Sequence, residues 1–344
     1  MTPELAELRD SARQVLAAEG LAAPEDKTWP LARDLGWLLV AVPEAQGGLG
    51  QGLAGACAFH VEMGRSLCAA PYLPAMLAME AVIHAGREDW IERLGSTALA
   101  TASLADATDT PLTISDDKVV SGAVTAVPSA DRAGHVLVCS AAGDAVALVP
   151  LAQPGVTLRF RESWDTTRRL FDLRFDGVAL DPSWVLARGD EARVLGRRLA
   201  THRDFALAAD AVGGAAAALE MTIEYLKTRR QFGRPLALFQ ALKHRCADLK
   251  ARIAAAEALL ADSIVRVGTR VHGAEAERLG KAVKHFATAA YAAVAEDMLQ
   301  LHGGIGMTAE HACHLFLKRA LLNEQLGRRS SYELDIADAL LQAS

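Results

Sequence analysis

The sequence predicts a multi-domain α+β protein: an N-terminal helical bundle over 1–96, a small middle β barrel or sandwich over 97–188, and a C-terminal four-helix bundle over 189–344. Three observations carry this expectation. At 344 residues the chain exceeds the usual reach of one hydrophobic core. Apolar residues recur at helical spacing at both ends. Between about Thr97 and Ala187 the pattern changes to short β-branched or alternating runs.

In the first segment the helical pattern is broken by VPEAQGGLGQG, where Pro43, Gly47, Gly48 and Gly50 forbid a continuous helix; we read it as a structural loop. A further helix ends before Pro71 and is followed by another. The middle segment contains KVVSGAVTAV, HVLVCSA, AVALVPL, VTLRF and LFDLRFDGVAL, separated by Asp, Gly and Pro clusters. These are spaced for antiparallel strands, without the βαβ alternation of a dinucleotide-binding sheet. From Asp190 long helical patterns return, and Gly213 and Gly214 ahead of an alanine run allow close helix packing.

Composition narrows the function. A net charge of −6 offers no footprint for a phosphate backbone, so nucleic-acid binding is not expected. The first helix is acidic and amphipathic rather than a secretory leader, and no run reaches membrane-spanning length without charge. Five cysteines, Cys57, Cys68, Cys139, Cys246 and Cys313, lack metal-ligand spacing and read as packed thiols in a reducing cytoplasm, with no metal site expected.

Two strings in the last segment carry chemistry. YLKTRRQFGRPLALFQ places a cation one helical turn before an aromatic, then Gly and Pro that end the helix, and an amide further along. A guanidinium fork and free backbone N–H groups suit a diphosphate. Alone, such a string reads first as a helix C-cap with a charged surface, and it is the second string that turns the reading towards a ligand. QLHGGIGMT ends a helix and follows it with paired glycines that let a ligand approach the backbone. His302 beside them reads as a solvated cap. In WDTTRRL the short side chains of Asp165, Thr166 and Thr167 organise a turn, and Arg168 could approach an active site.

These strings, with VPEAQGGLG and EMGRSLCAAPYL, occur in an order that resembles the acyl-CoA dehydrogenase family over nearly the whole chain. The resemblance implies an acyl-CoA dehydrogenase-like fold, FAD as cofactor, an acyl-CoA substrate and an electron-transferring flavoprotein as acceptor. It also implies that Arg229, Phe232, Gln240, Gln300, Gly303 and Gly304 contact the ADP portion of a flavin held mainly by a neighbouring subunit.

The departures are equally specific. Where the family has a Gly-Ser flavin loop of the TEP-x-AGSD type, this chain has TASLADATDT, and no Trp stands near Val124. The family's general base is also missing. Its C-terminal position falls at LGRRS, residues 326–330, and its alternative position falls at Arg203. Asp204 is the adjacent carboxylate candidate, although one residue rotates a helical side chain by about 100°. Asp210 and Glu324 are further removed. The implied function is a subunit that acts with a second acyl-CoA dehydrogenase chain, as in heteromers that take steroid side-chain thioesters. The partner would supply the base and the flavin-ring loop. The alternatives are a self-sufficient homotetramer using Asp204, and a non-catalytic stabilising or acyl-CoA-binding subunit.

Overall fold

A computed structural model describes residues 2–342 other than 97, 106–108 and 328. Five helices come first: α1 (Pro3–Glu19), α2 (Glu25–Asp34), α3 (Gly52–Ser66), α4 (Tyr72–His84) and α5 (Glu88–Ser96). Thr2 caps α1 by accepting the Leu5 N–H, with Pro3 in the first turn where its missing donor costs nothing. The glycine-rich loop before α3 folds on itself: Gly48 lies so close to Val42 that a Cβ would stand 2.1 Å from its carbonyl oxygen.

Among the described residues eight strands follow: β1 (Ala100–Ala102), β2 (Thr113–Ile114), β3 (Val119–Pro128), β4 (His135–Cys139), β5 (Ala145–Pro150), β6 (Val156–Arg161), β7 (Leu170–Ala179) and β8 (Val185–Arg188). They form two four-stranded sheets, ordered β1-β4-β5-β8 and β2-β3-β7-β6. Five of the strands coincide with the runs read from the sequence. The expected antiparallel arrangement needs one correction, because β1 pairs with β4 in parallel. β1 is three residues long and carries no alternation by which its direction could be read.

The two sheets close on a shared core that includes Val120, Val127, Val136, Ala147, Leu173 and Phe175. The other face of the first sheet, through Leu137, Val146 and Leu148, packs on α4 and on Leu195 and Leu199 of the following helix. β4 and β5 are therefore covered on both faces, which is why HVLV and AVALV read as continuous apolar runs.

The C-terminal helices are α6 (Gly189–Thr228), α7 (Gln240–Val267), α8 (Ala274–His302), α9 (Cys313–Gln325) and α10 (Arg329–Gln342). A two-residue hairpin, β9 (Arg230–Gln231) with β10 (Arg234–Pro235), joins α6 to α7. α6 is long and apolar enough to cross a membrane, but most of its apolar stretch is buried inside this fold. The glycines of α6 have the packing role expected of them. A Cβ on Gly213 would meet the Val61 carbonyl of α3 at 1.9 Å, and one on Gly214 would meet the Tyr291 ring of α8.

A buried ionic cluster ties the three segments together. Arg319 of α9 donates to Asp165 Oδ2 at 3.0 Å, to Asp210 Oδ2 at 3.1 Å, to Thr167 Oγ1 at 2.6 Å and to the carbonyls of Leu67 and Cys68. Asp210 of α6 also accepts from Arg168 at 3.0 Å and from the Asn323 amide at 2.6 Å. Burial opposes a charged Asp210, yet Arg168, Arg319 and Asn323 outweigh it and hold its carboxyl below the usual range. Arg168 and Asp210 are thus held in this cluster.

Replacing Arg319 with Met should cost about 3–5 kcal/mol, because two buried carboxylates lose a cation. A thermal midpoint unchanged from wild type would contradict the cluster's role. Burial also pushes His60 down to about 4, and lowers His202 and His302. The unfolded chain then binds more protons than the native one below its histidine range of about 6.5. Native stability should be full above that pH and fall as pH drops from there towards 4. A denaturation midpoint that is flat across this window would refute the buried neutral histidines.

Candidate functional site

The sequence-identified residues gather at one end of the C-terminal bundle. α6 stops at Thr228, and Arg229, in extended backbone, donates its N–H back to Tyr225 at 2.8 Å. Phe232 and Gly233 form the tip of the hairpin with φ of +51° and +75°. Positive φ at both positions gives the turn that matches strand twist, but it strains a phenylalanine. Phe232 is nonetheless 90% exposed. Its ring meets Phe239 edge-on at 6.1 Å, and Arg234 covers the face of Phe239 at 4.1 Å. Gln240 is exposed in the first turn of α7.

The second string comes to the same end. α8 finishes at His302, and Gly303 leaves it with φ of +64°. Open space lies where a Cβ would stand on either Gly303 or Gly304. Tyr225 joins the two strings: its ring stacks on His302 at 4.3 Å and its hydroxyl donates to the His302 carbonyl at 3.2 Å. An ion pair between Arg245 of α7 and Asp297 of α8 adds a second tie. His302 corrects the expectation of a solvated cap. It is 3% exposed, because its ring is the surface on which Tyr225 and His311 pack.

The basic stretch sorts itself. Lys227 pairs with Glu224, Arg230 donates to the Gly233 carbonyl, and Arg234 lies on Phe239. Among the described residues, the exposed Arg229 guanidinium has no hydrogen-bond or ion-pair partner, and neither do the side chains of Gln240 and Gln300. This end of the bundle therefore presents an unpaired planar cation, two free amides, an aromatic ring and an open glycine backbone. That donor set fits an anionic, ring-bearing nucleotide approaching from outside the chain.

A separate pocket of about 390 Å³ opens between the β sandwich and α6. Ser103, Pro111 and Val124 line one side, Leu77 another, and Gly196, Leu199, Ala200 and Arg203 the α6 side. Part of the TASLADATDT loop, residues 106–108, lies outside the described residues, as does 328 in the LGRRS string. What is described converges here: the Gly327 N–H donates to the Leu104 carbonyl at 2.9 Å, and a Cβ on Gly327 would lie 3.1 Å from the Arg203 guanidinium. Both positions at which the family resemblance places a base thus meet beside one pocket. Among the described residues, no carboxylate lines it. Ser103 spends its hydroxyl on the Thr125 carbonyl at 2.8 Å.

Asp204 faces elsewhere. It is buried, accepts from Arg203 at 3.0 Å and from the Tyr332 hydroxyl at 2.8 Å, and borders a cleft with Lys281 and Asp335. Glu324 is half-buried on α9. The sequence reading missed the Tyr225–His302 stack, for which a Tyr one turn before the corner is the only local signal.

The acyl-CoA dehydrogenase N-terminal domain matches residues 2–98 and the C-terminal domain matches residues 193–336. The chain belongs to the acyl-CoA dehydrogenase family. It is 35% identical to the acyl-CoA dehydrogenase IpdE2 of Mycobacterium tuberculosis over 88% of this chain and 82% of the relative. Among solved structures it resembles a Tcur3481–Tcur3483 steroid acyl-CoA dehydrogenase variant, with 27% identity, a TM-score of 0.86, and coverage of 99% of this chain and 98% of that one. The ChsE4–ChsE5 complex of Mycobacterium tuberculosis shares the fold at 24% identity, with a TM-score of 0.88 and the same coverage. Members of the family are FAD-dependent oxidoreductases.

Exchanging Asp204 for Asn should leave the dehydrogenation rate of the assembled enzyme within a few-fold of wild type, because this carboxylate is held between Arg203 and Tyr332. A fall of several orders of magnitude, with the flavin still bound, would make Asp204 the base.

Proposed function

We propose that this chain is one half of a two-chain acyl-CoA dehydrogenase. In this reading it lends Arg229, Phe232, Gln240, Gln300, Gly303 and Gly304 to the ADP portion of FAD seated chiefly in a partner chain of the same family. The observation that carries it is the contrast between the two sites. Among the described residues, the Arg229, Gln240 and Gln300 side chains at the corner have no partner, while the pocket between the sandwich and α6 presents Arg203 and no carboxylate.

When bound, FAD supplies the hydride acceptor for α,β-dehydrogenation of an acyl-CoA thioester. This chain's part is binding and orientation. The Arg229 fork neutralises diphosphate oxygens, the amides of Gln240 and Gln300 and the backbone around Gly303 and Gly304 add donors, and Phe232 offers a ring for stacking. The partner supplies the carboxylate that takes the α-proton and the loop that holds the flavin ring. The paired relatives, one of them a steroid acyl-CoA dehydrogenase, support a bulky steroid side-chain thioester as the acyl group.

Arg229→Ala should weaken flavin retention by the complex about 10- to 100-fold, as expected for losing charge-assisted hydrogen bonds. Arg230→Ala, whose side chain serves the hairpin itself, is the control. Flavin content of the purified complex, read by absorbance against protein, decides it. Equal occupancy in the Arg229 variant and wild type would remove the corner from the FAD site.

A further inference from the structure

Behind the Gly303–Gly304 turn, three potential ligands converge. One ligand atom from each of His302, His311 and Cys313 lies within 4.8 Å of the other two. His302 and Cys313 are buried and His311 is half-exposed, so the group has a dry side and a route to solvent. We propose that His302, His311 and Cys313 bind a zinc-class divalent ion that clamps the end of α8 to the start of α9.

His302 is already arranged as a ligand. Its Nδ1 lies 2.7 Å from the Met298 carbonyl, which fixes the proton on Nδ1 and leaves the Nε2 lone pair free. That Nε2 is buried without a hydrogen-bond partner. A ring N–H held by a backbone carbonyl while the other nitrogen is free is the arrangement that orients metal-bound histidine. An unpaired buried nitrogen is otherwise costly.

The other two ligands need small changes. Cys313 Sγ now meets the Gly306 carbonyl at 3.7 Å, a weak contact for a thiol. On binding, the thiol proton passes to solvent and the sulfur coordinates as thiolate, with no change of oxidation state. His311 Nδ1 accepts the Cys313 N–H at 3.2 Å, a long bond that yields when the imidazole turns to coordinate. Zn–N and Zn–S lengths of about 2.0 and 2.3 Å require tetrahedral ligand atoms roughly 3.3–3.5 Å apart, so side-chain rotation closes the remainder. One thiolate and two imidazoles suit zinc rather than magnesium or calcium, and the fourth position falls to water on the His311 side. Metal coordination here does not depend on the flavin assignment, since none of the three side chains is among the proposed ADP contacts.

The test uses the full chain, stripped with a chelator and titrated with Co2+ and then Zn2+. Wild type should take up one equivalent of Co2+, with visible bands of tetrahedral coordination and a near-ultraviolet thiolate-to-cobalt band, both lost on adding Zn2+. Cys313→Ala should abolish the thiolate band, and Cys246→Ala should retain it. His311→Ala, at a half-exposed position, should bind at least about tenfold more weakly with unchanged circular dichroism. Absence of any cobalt spectrum in wild type at millimolar ion, or the same spectrum in Cys313→Ala, would overturn the site. Flavin content plays no part in the readout, so this result and the two-chain result stand or fall separately.

Discussion

The buried cation Arg319 fixes how the segments of this chain meet. It lies on α9, yet its donors are spent on the middle segment through Asp165 and Thr167, on α6 through Asp210, and on the end of α3 through the Leu67 and Cys68 carbonyls. Such a cluster is a poor source of net stability, since desolvating two arginines and two aspartates consumes most of the Coulombic gain. Its use is geometric. This arrangement of the three segments pairs both arginines with both aspartates, and a slipped one would strand a charge in the interior. With α6 held in that way, one end carries the Arg229 corner and its middle forms a wall of the pocket beside the β sandwich.

On the proposed two-chain reading, that arrangement lets one chain keep half of a cofactor site and lose the other half without losing its fold. The corner at Arg229 and the loop at Gly303 depend on helix ends and a hairpin, which are braced by Tyr225, His302 and Arg245. None of these touches the pocket at Arg203. Loss of a carboxylate or of a Gly-Ser loop at the pocket leaves the Arg319 cluster and the corner undisturbed. On that reading, the two halves can diverge independently in a pair of chains, one keeping each half.

How much of this was readable in advance follows from the range of the interactions. Strands such as β3 and β5 and helices such as α7 were legible because period and turn residues are local. So was the end of α6, because Gly233 and Pro235 lie within one short string with Arg229 and Phe232. The parallel β1–β4 pair was not, since three residues carry no register. Nor was the Arg319 cluster: Asp165 is 154 positions away, and WDTTRRL seen alone suggests only a turn. The turn is there, with Asp165 accepting from the Thr167 N–H at 2.9 Å, but the same carboxylate also serves Arg319. His302 was misread for a related reason. A helix-end histidine is usually solvated, and only the fold brings Tyr225 and His311 over it.

The central claim is that this chain's nucleotide corner works on a flavin that another chain holds. Its most direct test is to purify the chain alone and together with a candidate partner of the same family, and to measure bound FAD and acyl-CoA-dependent dye reduction in each. The account predicts little flavin and no turnover for the chain alone, with one flavin per pair and full turnover for the complex. A flavin-replete, fully active preparation of this chain by itself would contradict it.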